Sequence, residues 1–104
     1  DKRLISEKYI NKLLYSGRPS LIIKPGTSSF IPGLKHNIDQ WDMVFENGNI
    51  YKGGWAGQGL IVNPIKDYVV VWNSYFKDTQ ESETKLTPVI FELMDSVYKN
   101  NNDL

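Results

Sequence analysis

Hydrophobic positions change period along this chain, and each change marks an element. From Ile5 to Tyr15, Ile5, Tyr9, Ile10, Leu13 and Leu14 recur at helical spacing, with Glu7, Lys8, Asn11 and Lys12 on the other side. A short amphipathic helix over 5–16 is predicted. Gly17 suits the position just past its end, and Pro19 prevents its continuation. Residues 17–40 lose periodicity and read as loop, with Leu21-Ile22-Ile23 as the one candidate strand and Phe30, Ile31 and Leu34 needing a surface to cover.

From Trp41 to Tyr75 the pattern becomes one of short β-branched and aromatic runs separated by turn residues. Met43-Val44-Phe45 and Ile50-Tyr51 flank Asn47-Gly48, whose residues tolerate the two positive φ angles of a type I′ hairpin turn. Leu60-Ile61-Val62 and Tyr68 to Trp72 flank a second turn, Asn63 to Asp67, in which Pro64 fixes one φ. These four runs predict a four-stranded antiparallel sheet made of two hairpins over 41–75. After a polar break from Phe76 to Glu83, Leu86, Val89, Ile90, Leu93, Met94, Val97 and Tyr98 form a helical stripe, with Glu92, Asp95, Ser96 and Lys99 facing away. A helix over 84–99, with Pro88 in its first turn after Thr87, therefore packs on one sheet face. The fold class is α+β.

Between the hairpins lie Gly53, Gly54, Gly57 and Gly59, four glycines in seven positions. Glycine weakens a strand, so the run marks either a close approach of another group to the backbone or a tight, bulged connection.

Composition narrows the function classes. A chain of 104 residues supports one domain, burying about two-thirds of its unfolded surface. Twelve basic and twelve acidic residues leave zero formal charge, which removes the bulk attraction for nucleic acid or an anionic membrane. No apolar run approaches the roughly 20 residues of a membrane span. The lack of cysteine excludes disulfides and thiolate metal sites without assigning a compartment. His36, the only histidine, has no carboxylate at ligand spacing and reads as an exposed loop residue. Asp39, Asp42 and Glu46 lack the clustering of a metal site, and neither a metal nor another cofactor is expected. An N-terminal Asp1 suggests a processed or excised piece.

Lys52-Gly53-Gly54, Gly57-Gln58-Gly59-Leu60-Ile61-Val62, Asn63-Pro64, Asp67 and Val69-Val70-Val71, in that order, resemble the C-terminal part of the serine β-lactamase-like hydrolases. That superfamily includes penicillin-binding proteins, class C β-lactamases, related esterases and 6-aminohexanoate-dimer hydrolases. The resemblance covers roughly a third of the chain. In these enzymes the third active-site motif, Lys-Thr-Gly or a variant, lies on a strand of the central sheet. A glycine-rich turn, a strand ending near Pro, a turn with an acidic residue and a valine-rich strand follow it. The C-terminal helix packs on the face opposite the catalytic groove. The resemblance thus implies a partial β-lactamase/transpeptidase-like fold, with residues 1–104 its C-terminal portion.

It also implies roles. Lys52 would take the first position of the third motif, where its ammonium raises the local potential, keeps the catalytic Tyr or Lys pair correctly protonated and holds a substrate carboxylate. Gly53 and Gly54 would let substrate lie against the strand. The Trp55 N–H would be one oxyanion-hole donor and its indole a pocket wall, with packing beside Trp41 or Trp72 as the competing reading. Gly53 stands where many relatives carry a hydroxyl that binds a β-lactam carboxylate, which favours a small amide or ester as substrate. Gln58 is expected to bond neighbouring glycine backbone, and Asp67 to shape a turn.

The nucleophile is missing. Ser82-Glu83-Thr84-Lys85 matches Ser-x-x-Lys on the wrong side of the third motif and reads as a helix lead-in. Tyr9-Ile10-Asn11 and Tyr98-Lys99-Asn100 match Tyr-x-Asn, but helical periodicity already accounts for both tyrosines. In the family the valine-rich strand pairs with a strand from the far N-terminal part of the domain. Tyr68 to Trp72 is therefore expected to present an open edge, filled by that part, by a second chain or by a homodimer. A noncatalytic α+β module binding a peptide, sugar or partner strand is the alternative class.

Overall fold

The computed structural model describes residues 2–19, 31–75 and 85–102. Among them lies a six-stranded antiparallel sheet whose spatial order follows the chain. Its strands are β1 (Arg18–Pro19), β2 (Leu34–Ile38), β3 (Trp41–Phe45), β4 (Ile50–Gly53), β5 (Gly59–Asn63) and β6 (Tyr68–Trp72). Helix α1 (Glu7–Tyr15) covers one face and α2 (Thr87–Asn102) the other.

The α+β class holds, and the strand count is corrected from four to six. The four expected strands are β3 to β6, while β1 and β2 arise from the stretch read as loop. Two features hide β2: three of its five residues are polar, and its pairing with β3 is irregular on both sides of His36. A turn signal is absent as well, because Asp39 and Gln40 make the tight connection to β3, at φ +48° and +68°. That is where the chain places the paired positive φ values of a two-residue hairpin loop. At Asn47-Gly48, by contrast, only Gly48 is left-handed, at φ +89°. The Phe45 N–H donates to the Asn49 carbonyl at 2.9 Å and the Gly48 N–H to the Phe45 carbonyl at 3.0 Å, giving a three-residue loop with a glycine bulge. Leu21-Ile22-Ile23 and Phe30 lie outside the described residues, as does the polar break over 76–83.

Two clusters form the core. Ile31, Met43, Phe45, Tyr51 and Ile61 are buried beneath Ile90 and Phe91 of α2, with Phe91 edge-on to Phe45 at 4.6 Å between ring centres. On the opposite face Leu13 and Leu14 of α1 bury Val44 and Ile50. The first helix follows expectation: Ser6 caps it by accepting from the Tyr9 N–H at 3.1 Å, and it ends at Tyr15. The second helix is rotated from its expected orientation. Val89, Leu93 and Val97 are exposed, while Asp95, expected to face away, reaches Lys66 at 2.8 Å. Phe91 against Phe45 and Asp95 against Lys66 together set this rotation.

His36 corrects another expectation, since it is buried at 4% exposure. Its Nε2 lies 2.8 Å from the Leu13 carbonyl, and the Lys35 ammonium donates to the Leu14 carbonyl. An ending helix leaves its last carbonyls unpaired, and these neighbouring side chains of β2 satisfy two of them. At the other end of the sheet Asn63 joins two turns. Its Oδ1 accepts from the Ile65 and Lys66 N–H groups at 3.0 and 2.8 Å, and its Nδ2 donates to the Asn47 carbonyl at 3.1 Å and to Asn49 Oδ1 at 2.8 Å.

Asn63 is fully buried, so truncation strands these partners without water. Asn63→Ala is expected to lower unfolding stability by about 2–3 kcal/mol, read by urea denaturation. A loss within experimental error would show that the two turns do not depend on it.

Candidate functional site

The site candidates sit where β4 runs into its glycine turn. Met43 opposes Tyr51 and Val44 opposes Ile50, so continuation of the register sets Asp42 across from Lys52. Side chains alternate across a sheet, and Lys52 therefore shares a face with Val44, Ile50 and Leu60, opposite the face that α2 covers. Helix α1 covers Val44 and Ile50 on this side. Farther across the same face, Val69 and Val71 of β6 are 61% and 67% exposed.

Lys52 does not stand alone. Its ammonium meets Asp42 Oδ1 at 2.8 Å, and the Gly53 N–H donates to Asp42 Oδ2 at 2.8 Å. One carboxylate thus holds both the lysine charge and the adjacent backbone donor. The interaction is partly solvated, with side-chain exposures of 48% for Lys52 and 35% for Asp42. Reading the sequence residue by residue missed Asp42, because its partner depends on hairpin register. The available signal was the pair of loop residues Asn47-Gly48, provided the loop was taken as three residues rather than two.

The turn after β4 is compact. The Gly54 N–H donates to the Gln58 carbonyl at 2.8 Å, so the main chain of Gln58, rather than its side chain, makes the expected hydrogen bond with glycine backbone. Trp55 begins a single 3-10 turn, Trp55–Gly57, and is 76% exposed. It is not packed within the core. Trp72 instead stacks on Tyr51 at 6.0 Å and lies directly over Gly59, where a Cβ would sit 2.1 Å from the ring. Gly57 has φ +113°. The Gln58 side chain lies against Gly54, where a Cβ would sit 2.9 Å from both its Cβ and its Oε1. Side chains of this protein and a turn thus account for Gly54, Gly57 and Gly59, leaving Gly53 at the end of β4 as the glycine beside Lys52.

The remaining candidates lie apart. Asp67 serves its turn at φ +58°. Tyr9 packs half-buried in the α1 cluster, and the Tyr98 ring lies 5.4 Å from the Lys66 ammonium. Of Ser82-Glu83-Thr84-Lys85, only Lys85 falls within the described residues. No group of three His, Asp or Glu residues that could hold a metal occurs among the described residues, and no described helix is long and apolar enough to cross a membrane. A shallow groove of about 360 Å³ between the β5–β6 turn and α2 is lined by Ile65, Lys66, Tyr68, Met94 and Tyr98. It belongs to the other sheet face and contains none of the β4 residues.

Two groups along that groove have shifted proton affinities. Burial pushes the Tyr68 hydroxyl above its ordinary value, and the hydrogen bond from Lys66 to Asp95 raises the lysine. No protein-family model, curated protein or solved structure matches this chain.

A raised folded-state affinity means that the folded chain keeps protons which the unfolded chain releases. The associated stability is present below the ordinary values of 10.0 for Tyr68 and 10.5 for Lys66, and is lost as pH rises through the higher folded values. Urea unfolding from about pH 8 to 11 is expected to show falling stability above about pH 10, with a shallower fall in Tyr68→Phe. Identical slopes would contradict the assignment to Tyr68.

Proposed function

We propose that this chain is the C-terminal part of a serine β-lactamase-like hydrolase, related to penicillin-binding proteins, class C β-lactamases and 6-aminohexanoate-dimer hydrolases. In this reading the enzyme cleaves small amides or esters through an acyl-serine intermediate, and the chain supplies Lys52-Gly53-Gly54 as its third active-site motif. The nucleophile comes from an N-terminal part of the same domain or from a second chain.

The observation that carries the reading is the position of Lys52. It lies on an inner strand, before a glycine turn, on the sheet face opposite α2. That is the relation between third motif and C-terminal helix implied by the resemblance. In the proposed cleft Lys52 supplies positive potential, Gly53 admits substrate against the strand, Gly54 does so once the exposed Gln58 side chain turns aside, and the Trp55 N–H donates to the oxyanion. The exposed indole of Trp55 becomes a wall of the acyl pocket.

The β6 edge supports the same reading. Among the described residues strand β6, Tyr68–Trp72, ends the sheet, and β-branched Val69 and Val71 alternate outward along it. An added strand satisfies its outward main-chain groups and extends the apolar surface. The N-terminal part of the domain supplies that strand in the hydrolase reading, and a second copy would form a homodimer. The same edge, with exposed Trp55 and Tyr75, favours the second reading, a noncatalytic module binding a peptide, sugar or partner strand.

Fluorophosphonate labelling of the longest natural polypeptide separates the two. The hydrolase reading expects label on a Ser-x-x-Lys serine upstream of these residues. It also expects Lys52→Met to reduce kcat/KM toward a small ester by about 100-fold while the protein remains folded. A native polypeptide beginning near Asp1 and taking no label would favour the binding module.

A further inference from the structure

We infer that Asp42 sets the ligand class of the β4 site by occupying its two anion-binding groups, so that the site takes neutral carbonyl compounds and rejects carboxylates. The inference rests on the functional reading above for its enzymatic meaning, but its chemistry depends only on residues of this sheet. Lys52 Nζ and the Gly53 N–H are the donors with which this strand could hold an anion. Both are engaged by Asp42, each at 2.8 Å and each by a different carboxylate oxygen.

Gly53 explains why the arrangement is specific. The Phe45 N–H donates to the Asn49 carbonyl, which makes this a hydrogen-bonded pair, so every second pair back along the hairpin is of the same kind and the Gly53 N–H faces toward β3 at the point where that ladder ends. The Asp42 side chain replaces the missing main-chain acceptor. Pinned there by Gly53, it remains beside Lys52 even though the ion pair itself is partly solvated and contributes little alone. A free carboxylate must displace an acceptor already tethered next to both donors, at an effective concentration no dilute ligand matches. It must also approach the negative charge of Asp42, which acts against anionic ligands in particular. A neutral amide or ester is not repelled by Asp42, and held through the Trp55 N–H it has no need of the two donors that Asp42 occupies.

Acetate and acetamide, closely similar in shape and different in charge, are suitable probes for amide-resolved NMR titration of the 104-residue chain. With the wild-type sequence, acetate is expected to leave the Lys52 to Trp55 amides unmoved. In Asp42→Asn, the acetate affinity read at those amides is expected to rise by about tenfold, while the response to acetamide stays the same. Asp42→Ser, which retains a short acceptor near Gly53 without charge, is read in the same way and serves if the asparagine variant loses the dispersed amide spectrum of the sheet. Saturable acetate binding by the wild-type chain at Gly53 would overturn the inference, as would the same weak response in wild type and both variants. No nucleophile is needed for this titration. Failure to label a serine would sink the hydrolase reading alone, whereas wild-type acetate binding would sink the role of Asp42 alone.

Discussion

The glycine bulge at Gly48 determines what the centre of this sheet can present. A two-residue loop at Asn47-Gly48 would slide β4 by one position against β3, and a one-residue slip moves every side chain of a strand to the other face. Lys52 would then point toward Met43 and Phe45, into the cluster covered by α2. With Gly48 at φ +89°, Tyr51 instead joins that cluster while Lys52 meets Asp42 on the other face. Packing supports the choice, because Tyr51 and Ile50 are each nearly fully buried, on opposite sides. The slipped register would bury an ammonium in an apolar layer, a far larger penalty than any preference between turn types.

The two faces are finished differently. Toward α2, aromatic contacts dominate, and the asparagines at positions 49 and 63 close the end of the layer with side-chain hydrogen bonds to Tyr68 and to two turns. Toward α1, the helix is tied down by polar groups at its C-terminal end, where Lys35 and His36 meet the Leu14 and Leu13 carbonyls and Lys12 reaches Asp39 at 2.7 Å. Helix α1 lies over Val44 and Ile50, whereas Val69 and Val71 on the same face remain exposed. The proposed cleft belongs to this less covered region, beside the β4 glycine turn.

Strong local signals carried most of the architecture. The β-branched runs of β5 and β6, the Pro64 to Asp67 turn and the first helix with its stop at Gly17 could all be read from sequence because each is decided within a few residues. Strand β2 could not, since Lys35, His36 and Asn37 look solvated until α1 supplies carbonyls for two of them. The rotation of α2 escaped for a related reason: the stripe through Val89, Leu93 and Val97 is the more apolar on paper, but Phe91 and Asp95 find partners that only the folded sheet brings near. At the site, Lys52 and its glycines were legible as a group. Asp42 was not, because it joins them through pairing across β3 and β4 rather than through proximity in the chain.

The hairpin register is the most direct point of attack on this account. In antiparallel pairs without mutual hydrogen bonds the two Cα atoms approach most closely, at about 4.5 Å. The nuclear Overhauser spectrum should therefore contain strong Hα–Hα cross-peaks between Val44 and Ile50 and between Asp42 and Lys52. Strong Hα–Hα cross-peaks joining Phe45 to Ile50 and Met43 to Lys52 would mean a two-residue loop, with Lys52 on the α2 face and no open β4 site.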